Sequence, residues 1–232
     1  MKESLGDRMK SNYESRMQLS LIRRMPVIIR LDGRSFHTLT RHCEKPFDDS
    51  LADCMVHTML FLCSKIQGVK CAYLQSDEMS FLLTDFDTLG TMAWFDYNIQ
   101  KVVSISASLA SVKFSELWGH SACFDSRAFN IPKEEVANYF VWRQKDWIRN
   151  SVAMLAQAHF SHKQLHEKGQ SDMHEMLHGK GINWNDLELK WKNGQFIEKN
   201  EGVWAITPAP IFTQSRDIVE KYLGNEVESD ND

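Results

Sequence analysis

Ile29-Arg30-Leu31-Asp32-Gly33-Arg34-Ser35-Phe36-His37 decides how this chain is read. The apolar run that opens at Val27 has the character of a buried strand, and at Asp32-Gly33 it breaks into polar residues. A second run, Tyr73-Leu74-Gln75-Ser76-Asp77-Glu78-Met79-Ser80-Phe81, repeats the pattern, with two strands joined by a tight turn at Ser76-Asp77-Glu78. About 45 residues separate Asp32 from Asp77, the span of one helix crossing between neighbouring strands, so the two strand ends are expected to meet. Two carboxylates beside a glycine and hydroxyl side chains suit a divalent cation, since Mg²⁺ takes one or two carboxylates together with substrate phosphates. The residues therefore point to a metal-dependent nucleotidyl-transfer centre.

Outward from these runs, the spacing predicts the remaining elements. Leu5, Met9, Tyr13 and Met17 recur every four residues, which predicts an amphipathic helix over 4–20. Leu51, Met55, Met59, Leu62 and Ile66 mark a helix after Pro46, started by Asp48-Asp49-Ser50 and stopped by Gly68. Val102, Ile105, Leu109 and Val112 mark a second helix over about 95–117. A strand near Ala122-Cys123-Phe124 follows, and Pro132 opens an aromatic-rich helix. Strand–helix–strand–strand–helix–strand is the split βαβ order of ferredoxin-like domains, so the expected class is α+β, an antiparallel sheet with helices on one face. The expected division is a catalytic domain over 1–155, a smaller helical and hairpin region over 156–223, with the hairpin around Lys192-Asn193-Gly194-Gln195, and a disordered acidic tail over 224–232.

The chain has 232 residues, 43% of them hydrophobic, enough for one sizeable core. Five cysteines without a Cys-x-x-Cys pair argue against a secreted disulfide framework. The opening residues are too charged for a secretory signal, and no apolar run approaches the length of a membrane span, so a soluble cytoplasmic protein is expected. A net charge of −4 excludes a broadly basic surface but not a local basic groove.

Each motif has a plainer reading. Asp32 alone would more often cap a turn, and Asp77-Glu78 are ordinary turn residues. Their joint occurrence, with Gly33 permitting close backbone approach and Arg34 available for phosphate, favours the metal site. Lys101 would ordinarily be a solvated lysine, or else a clamp reaching over phosphates. Asp125 and Arg127 read equally as a plain ion pair and as a pair that orders substrate. His162/His166 and His174/His178 are spaced four apart, as for zinc on a helix face, but no His-Glu-x-x-His run or nearby Cys completes a site. The rings over 135–160 read as core, while any exposed ring there could stack on bases.

Leu31 to His37, Gln75 to Phe81, Phe124-Asp125-Ser126-Arg127 and Trp142-Arg143-Gln144-Lys145-Asp146, in that order, resemble the tRNA-His guanylyltransferase family. Leu5-Gly6-Asp7-Arg8-Met9-Lys10 is similar to the start of its bacterial and archaeal branch, the Thg1-like proteins. The resemblance implies a polymerase-like palm that adds nucleotides to RNA in the 3′-to-5′ direction. It implies two Mg²⁺ ions on Asp32, Asp77 and the Gly33 carbonyl, with Glu78 as a supporting acid among the catalytic residues. It implies nucleotide contacts from Arg30, Asp32, Gly33, Arg34, Ser35, Phe36, His37, Ser76, Asp77 and Lys101, with ATP and GTP as substrates. A homotetramer acting on tRNA is implied too, with basic faces expected around Arg23, Arg24 and the 143–149 helix. Eukaryotic members carry His-Ile-Asn-Asn-Leu-Tyr-Asn after the Trp-Arg-Gln motif, whereas this chain reads Trp147-Ile148-Arg149-Asn150-Ser151, which resembles the branch that repairs 5′-shortened tRNA by copying the opposite strand. The alternatives are untemplated guanosine addition to tRNA-His, a nucleotide cyclase or phosphodiesterase on the same palm, and a non-catalytic RNA-binding module.

Overall fold

The computed structural model describes residues 3–224, so the expected acidic tail beyond Gly224 lies outside the described residues. Its centre is one six-stranded antiparallel sheet: β1 (Val27–Gly33), β2 (Val69–Gln75), β3 (Glu78–Leu83), β4 (Phe124–Asn130), β5 (Gln195–Asn200) and β6 (Val203–Pro208), in the order β4-β1-β3-β2-β5-β6. Nine helices accompany it among the described residues. Four come before β4: α1 (Leu5–Met9), α2 (Phe36–Leu39), α3 (Asp49–Lys65) and α4 (Ile99–Trp118). The other five are α5 (Lys133–His159), α6 (His162–Leu165), α7 (Gln170–His178), α8 (Leu189–Asn193) and α9 (Asp217–Glu220).

The first four strands and the crossover helices α3 and α4 form the expected split βαβ unit. Alternation along β1 divides its side chains between the two faces of the sheet. Val27, Ile29 and Leu31 pack with Met55, Met59 and Leu62 of α3 and Val102 and Phe114 of α4. Both crossover helices lie on this one face, as expected, but the opposite face is not open. Ile28, Tyr73, Leu82 and Phe196 are covered there by Val136, Tyr139 and Phe140 of α5, Phe212, and Val219 of α9. Helices on one face is therefore corrected to helices on both; α5 is long enough to cross the whole sheet and carries its own apolar stripe.

Three further expectations meet a different local structure. Asn193-Gly194 does not make a hairpin: Gly194, at φ 78°, ends α8, and a side chain there would strike the Leu74 carbonyl and the Tyr73 ring at 2.7 Å. The hairpin turn is Glu201-Gly202, and β5 pairs with β2, so these strands extend the main sheet. The 155/156 division falls inside α5. The N-terminal helix is broken into α1, a π-helical turn over Lys10–Glu14 and a 3₁₀ turn over Ser15–Met17. None of its residues is buried, so no packing holds the continuous α-helical geometry that the spacing suggested.

Phe140 is fully buried between Tyr73, Tyr139 and Phe212. Phe140→Ala should lower unfolding free energy by about 3–5 kcal/mol in urea denaturation; a loss under about 1 kcal/mol would show that α5 does not seal this face.

Candidate active site

The functional residues gather where β1 ends against the β2–β3 turn. Ser76 opens that turn in the left-handed region, at φ 50°, and the Gly33 N–H donates to the Asp77 carbonyl at 3.1 Å. That hydrogen bond ties the two sequence runs together. Gly33 is required for space as well: a Cβ there would lie 2.3 Å from the Phe36 ring. Phe36 in turn is buried against Phe114 and Phe124, so it anchors the loop and presents only part of its surface to the site.

Register decides the electrostatics. Asp32 lies opposite Glu78 on β3 and opposite Asp125 on β4. Three acids thus form one row across the sheet, on the face that α5 covers. Burial, then Asp125, raises the Asp32 carboxyl above its ordinary range. Burial pushes Asp77 up to about 6, with Asp32 and Glu78 adding to the rise. Glu78 is held differently: Arg143 grips it with both arms, Nε to Oε1 at 2.7 Å and Nη2 to Oε2 at 2.6 Å, and also donates to Asp146 at 3.1 Å. Its carboxylate is already engaged, and the ion pair ties the turn beside Asp77 to α5.

Two cavities open on either side of Ser76-Asp77. One, of about 400 Å³, is lined by Gly33, Ser35, Phe36, His37, Ser76 and Asp77 at its polar end. Its far end is aromatic, with Phe47 stacked on Trp191 at 4.8 Å and 8°, and Trp147 beside them. Lys190 bridges to Asp49 at 2.6 Å from the same wall. The second, of about 410 Å³, holds Asp32, Asp77, Glu78, Arg143 and Asp146 with Asn150 and Gln157 of α5. A polar end for phosphates beside an aromatic end for a base fits a nucleotide in the first cavity. Phe47 and Trp191 escaped the sequence reading because they meet only in three dimensions; the nearest signal was an aromatic immediately before the Asp48 cap of α3.

Not every expected residue lines a cavity. Arg30 and Arg34 line neither cavity. Lys101 is also absent. Ser106 of α4 contacts Ser126, Ser111 accepts from the Phe124 N–H, and Phe114 packs on Phe36, so the C-terminal end of α4 points at the site. Lys101, in the first turn, is about 20 Å from Phe114 along the helix at 1.5 Å per residue. Periodicity gave the buried stripe of this helix but not its direction relative to the acids. Arg23 is likewise no free cation: it binds Asp85 at 2.5 Å and Asp96 at 3.0 Å. Among the described residues the histidines assemble no metal site, and His174 packs edge-on against Trp184.

A cation fits the acid row. Asp32 and Asp77 are hard oxygen donors; Asp125 raises the proton affinity of Asp32 and Asp32 that of Asp77, an excess of negative charge that a divalent ion relieves. No group of three or more such side chains converges among the described residues, which suits an ion completed by substrate oxygens rather than a protein cage.

Fold and site together define a palm-type nucleotidyl-transfer centre. Residues 6–132 match the family model described as tRNAHis guanylyltransferase, more than half of the chain, and the chain belongs to that family. It is accordingly a nucleotidyltransferase. It is 45% identical, with a TM-score of 0.91, to a bacterial tRNA(His) guanylyltransferase-like protein solved with ATP, over 95% of this chain and 99% of that one. The guanylyltransferase of Schizosaccharomyces pombe is 30% identical, covering 72% of this chain and 71% of that protein. An uncharacterized protein of Acanthamoeba polyphaga mimivirus is 28% identical, covering 85% and 77%. Among the described residues no helix is long and apolar enough to cross a membrane.

Arg143→Ala should cost about 3–5 kcal/mol, because it strands the buried Glu78 carboxylate. The double variant Glu78→Leu with Arg143→Met should recover most of that loss in denaturant titrations, and equal losses in both variants would remove the ion pair from this account.

Proposed function

We propose that this protein extends 5′-truncated tRNA in the 3′-to-5′ direction, choosing each nucleotide against the opposite strand. The observation that carries the reading is the likeness of nearly the whole chain to two bacterial guanylyltransferase-like proteins, at 45% and 42% identity, against 30% for the guanylyltransferase of Schizosaccharomyces pombe. The Arg149-Asn150-Ser151 variant supports it. Ser151 is buried, donates to the Trp191 carbonyl at 2.6 Å and accepts from Trp184 Nε1 at 3.0 Å, while Asn150 faces the acidic cavity. The segment that carries a histidine-led run in eukaryotic members is here built into the wall of the nucleotide cavity.

The reaction has two displacements. A 5′-phosphate oxygen of the tRNA attacks the α-phosphorus of ATP; the new P–O bond replaces the α–β bridge and pyrophosphate leaves. The 3′-hydroxyl of an incoming nucleotide then attacks the activated 5′-phosphorus, losing its proton, and AMP leaves. Such chemistry asks the protein mainly for position and charge neutralisation. The aromatic end of the first cavity holds a base, with Ser35, His37 and Ser76 at the phosphate end. Asp32 and Asp77, with the Gly33 carbonyl, would hold Mg²⁺, which neutralises phosphate charge and activates the attacking oxygen when bound. Arg143, through Glu78, keeps the Asp77 turn in place for both displacements. Assembly as a homo-oligomer in the cytoplasm belongs to the same proposal.

A one-nucleotide-truncated tRNA bearing a 5′-phosphate, given ATP, Mg²⁺ and each nucleoside triphosphate singly, should accept only the complementary nucleotide. Guanosine addition whatever the opposite base would assign the untemplated tRNA-His role instead. Asp32→Asn and Asp77→Asn should each lower kcat at least a thousand-fold at unchanged fold, as should removal of the ion with EDTA; appreciable turnover in either variant would displace the acids from the centre.

A further inference from the structure

We propose that Trp142, with Arg30 and Arg127, is the platform on which the RNA strand lies, its terminal base stacked on the indole and its phosphate between the two guanidinium groups. This rests on the function proposed above and supplies the binding surface that neither cavity contains.

Three observations converge. First, Arg30 on β1 lies directly opposite Arg127 on β4, one row from the acids and on the same face. Directly opposed side chains in an antiparallel pair have Cβ atoms about 5 Å apart, and like charges placed so repel. A protein gains from such a pair only when an anion bridges it, and a phosphate with its bidentate preference for guanidinium is suited to that. Arg127 has only an exposed contact to Asp125 at 3.5 Å, and Arg30 Nε is buried without an acceptor among the described residues. Among the described residues, then, neither guanidinium is held by a carboxylate hydrogen bond.

Second, Trp142 is 53% exposed although it sits in the middle of α5, between the buried Phe140 and Arg143. Its ring is flanked by cations: the Arg143 guanidinium at 4.5 Å and that of Arg30 at 5.8 Å. Tyr139 braces it edge-on at 5.9 Å. An indole held in this way is a pre-ordered stacking surface, and base stacking on such rings is worth about 1–3 kcal/mol per base.

Third, the geometry is right for the chemistry. The Arg30–Arg127 row adjoins the Asp32–Asp125 row along the strands, about 7 Å away at two residues of strand rise. That is about one nucleotide, so a phosphate on the arginines places its neighbour at the acids. A triphosphate in the first cavity approaches the acids from the opposite side of the Ser76-Asp77 turn. The two substrates thus reach the acids without sharing a surface.

The test uses the full chain, a fluorescent 5′-phosphorylated truncated tRNA, and ATP, with Kd measured for each. Trp142→Ala should raise the tRNA Kd about 5- to 150-fold, the range that 1–3 kcal/mol of stacking represents, and Trp142→Phe should restore most of it. Arg127→Gln should reduce the slope of log Kd against log salt by about one. ATP binding and melting temperature should stay as in the wild type. An unchanged tRNA Kd in Trp142→Ala, with ATP binding intact, overturns the platform while leaving the proposed function standing. So does a drop in oligomer mass on light scattering, which would make the ring a contact between copies. A wild-type protein that binds ATP but no tRNA overturns both readings together.

Discussion

Like charges placed face to face on neighbouring strands are the constraint on which this structure turns. The register of β1 between β3 and β4 sets Asp32 against both Glu78 and Asp125, and Arg30 against Arg127. Each pairing costs stability by itself. The rows compensate one another only in part, since Arg127, Arg30 and Arg143 pull the Asp32 carboxyl down while burial and Asp125 push it up. A slip of one residue would remove the conflict by sending the acids to the α3–α4 face, into the apolar core around Leu31 and Phe81. Core packing therefore holds the register, and the register holds the charges that substrates must satisfy.

Helix α5 resolves the conflict on one side and exposes it on the other. Over three successive residues it presents an open ring at Trp142, a buried guanidinium at Arg143 and a buried amide at Gln144. Gln144 donates to the Asn193 and Pro210 carbonyls and accepts from the Phe212 N–H, so it ties the C-terminal segments to the helix. Arg143 spends its charge inward on Glu78 and Asp146. A step of about 100° per residue lets one short motif serve the fold, the acid row and the surface in turn.

This is also why some features were legible in the sequence and others were not. The split βαβ unit and the meeting of Asp32 with Asp77 follow from short-range signals: apolar runs, the Asp48 cap, Gly68, and a two-residue turn. The place of Lys101 along α4 could not be read, because periodicity reports which face of a helix is buried and says nothing of which end faces the site. Asn193-Gly194 is equally good chemistry for a hairpin and for a helix end, and only the close approach of Leu74 and Tyr73 decides between them. Trp142 and Trp147, five apart, stand about 140° apart around α5, so one is exposed and the other buried. The Phe47–Trp191 stack joins residues remote in sequence and left no pattern to find.

The net charge of −4 seemed at odds with a polyanionic substrate, and the distribution of cations removes the difficulty. Net charge governs long-range steering, whereas contact affinity depends on cations that the fold leaves short of partners. Here Arg23 is spent on Asp85 and Asp96, Arg143 on Glu78 and Asp146, Lys190 on Asp49, and Lys221 on Glu198. Register places Arg30 and Arg127, neither hydrogen-bonded to an acid among the described residues, beside the catalytic row. An acidic protein can thus bind a phosphate strand locally, because affinity at contact depends on the cations the strand meets and not on the net charge of the whole.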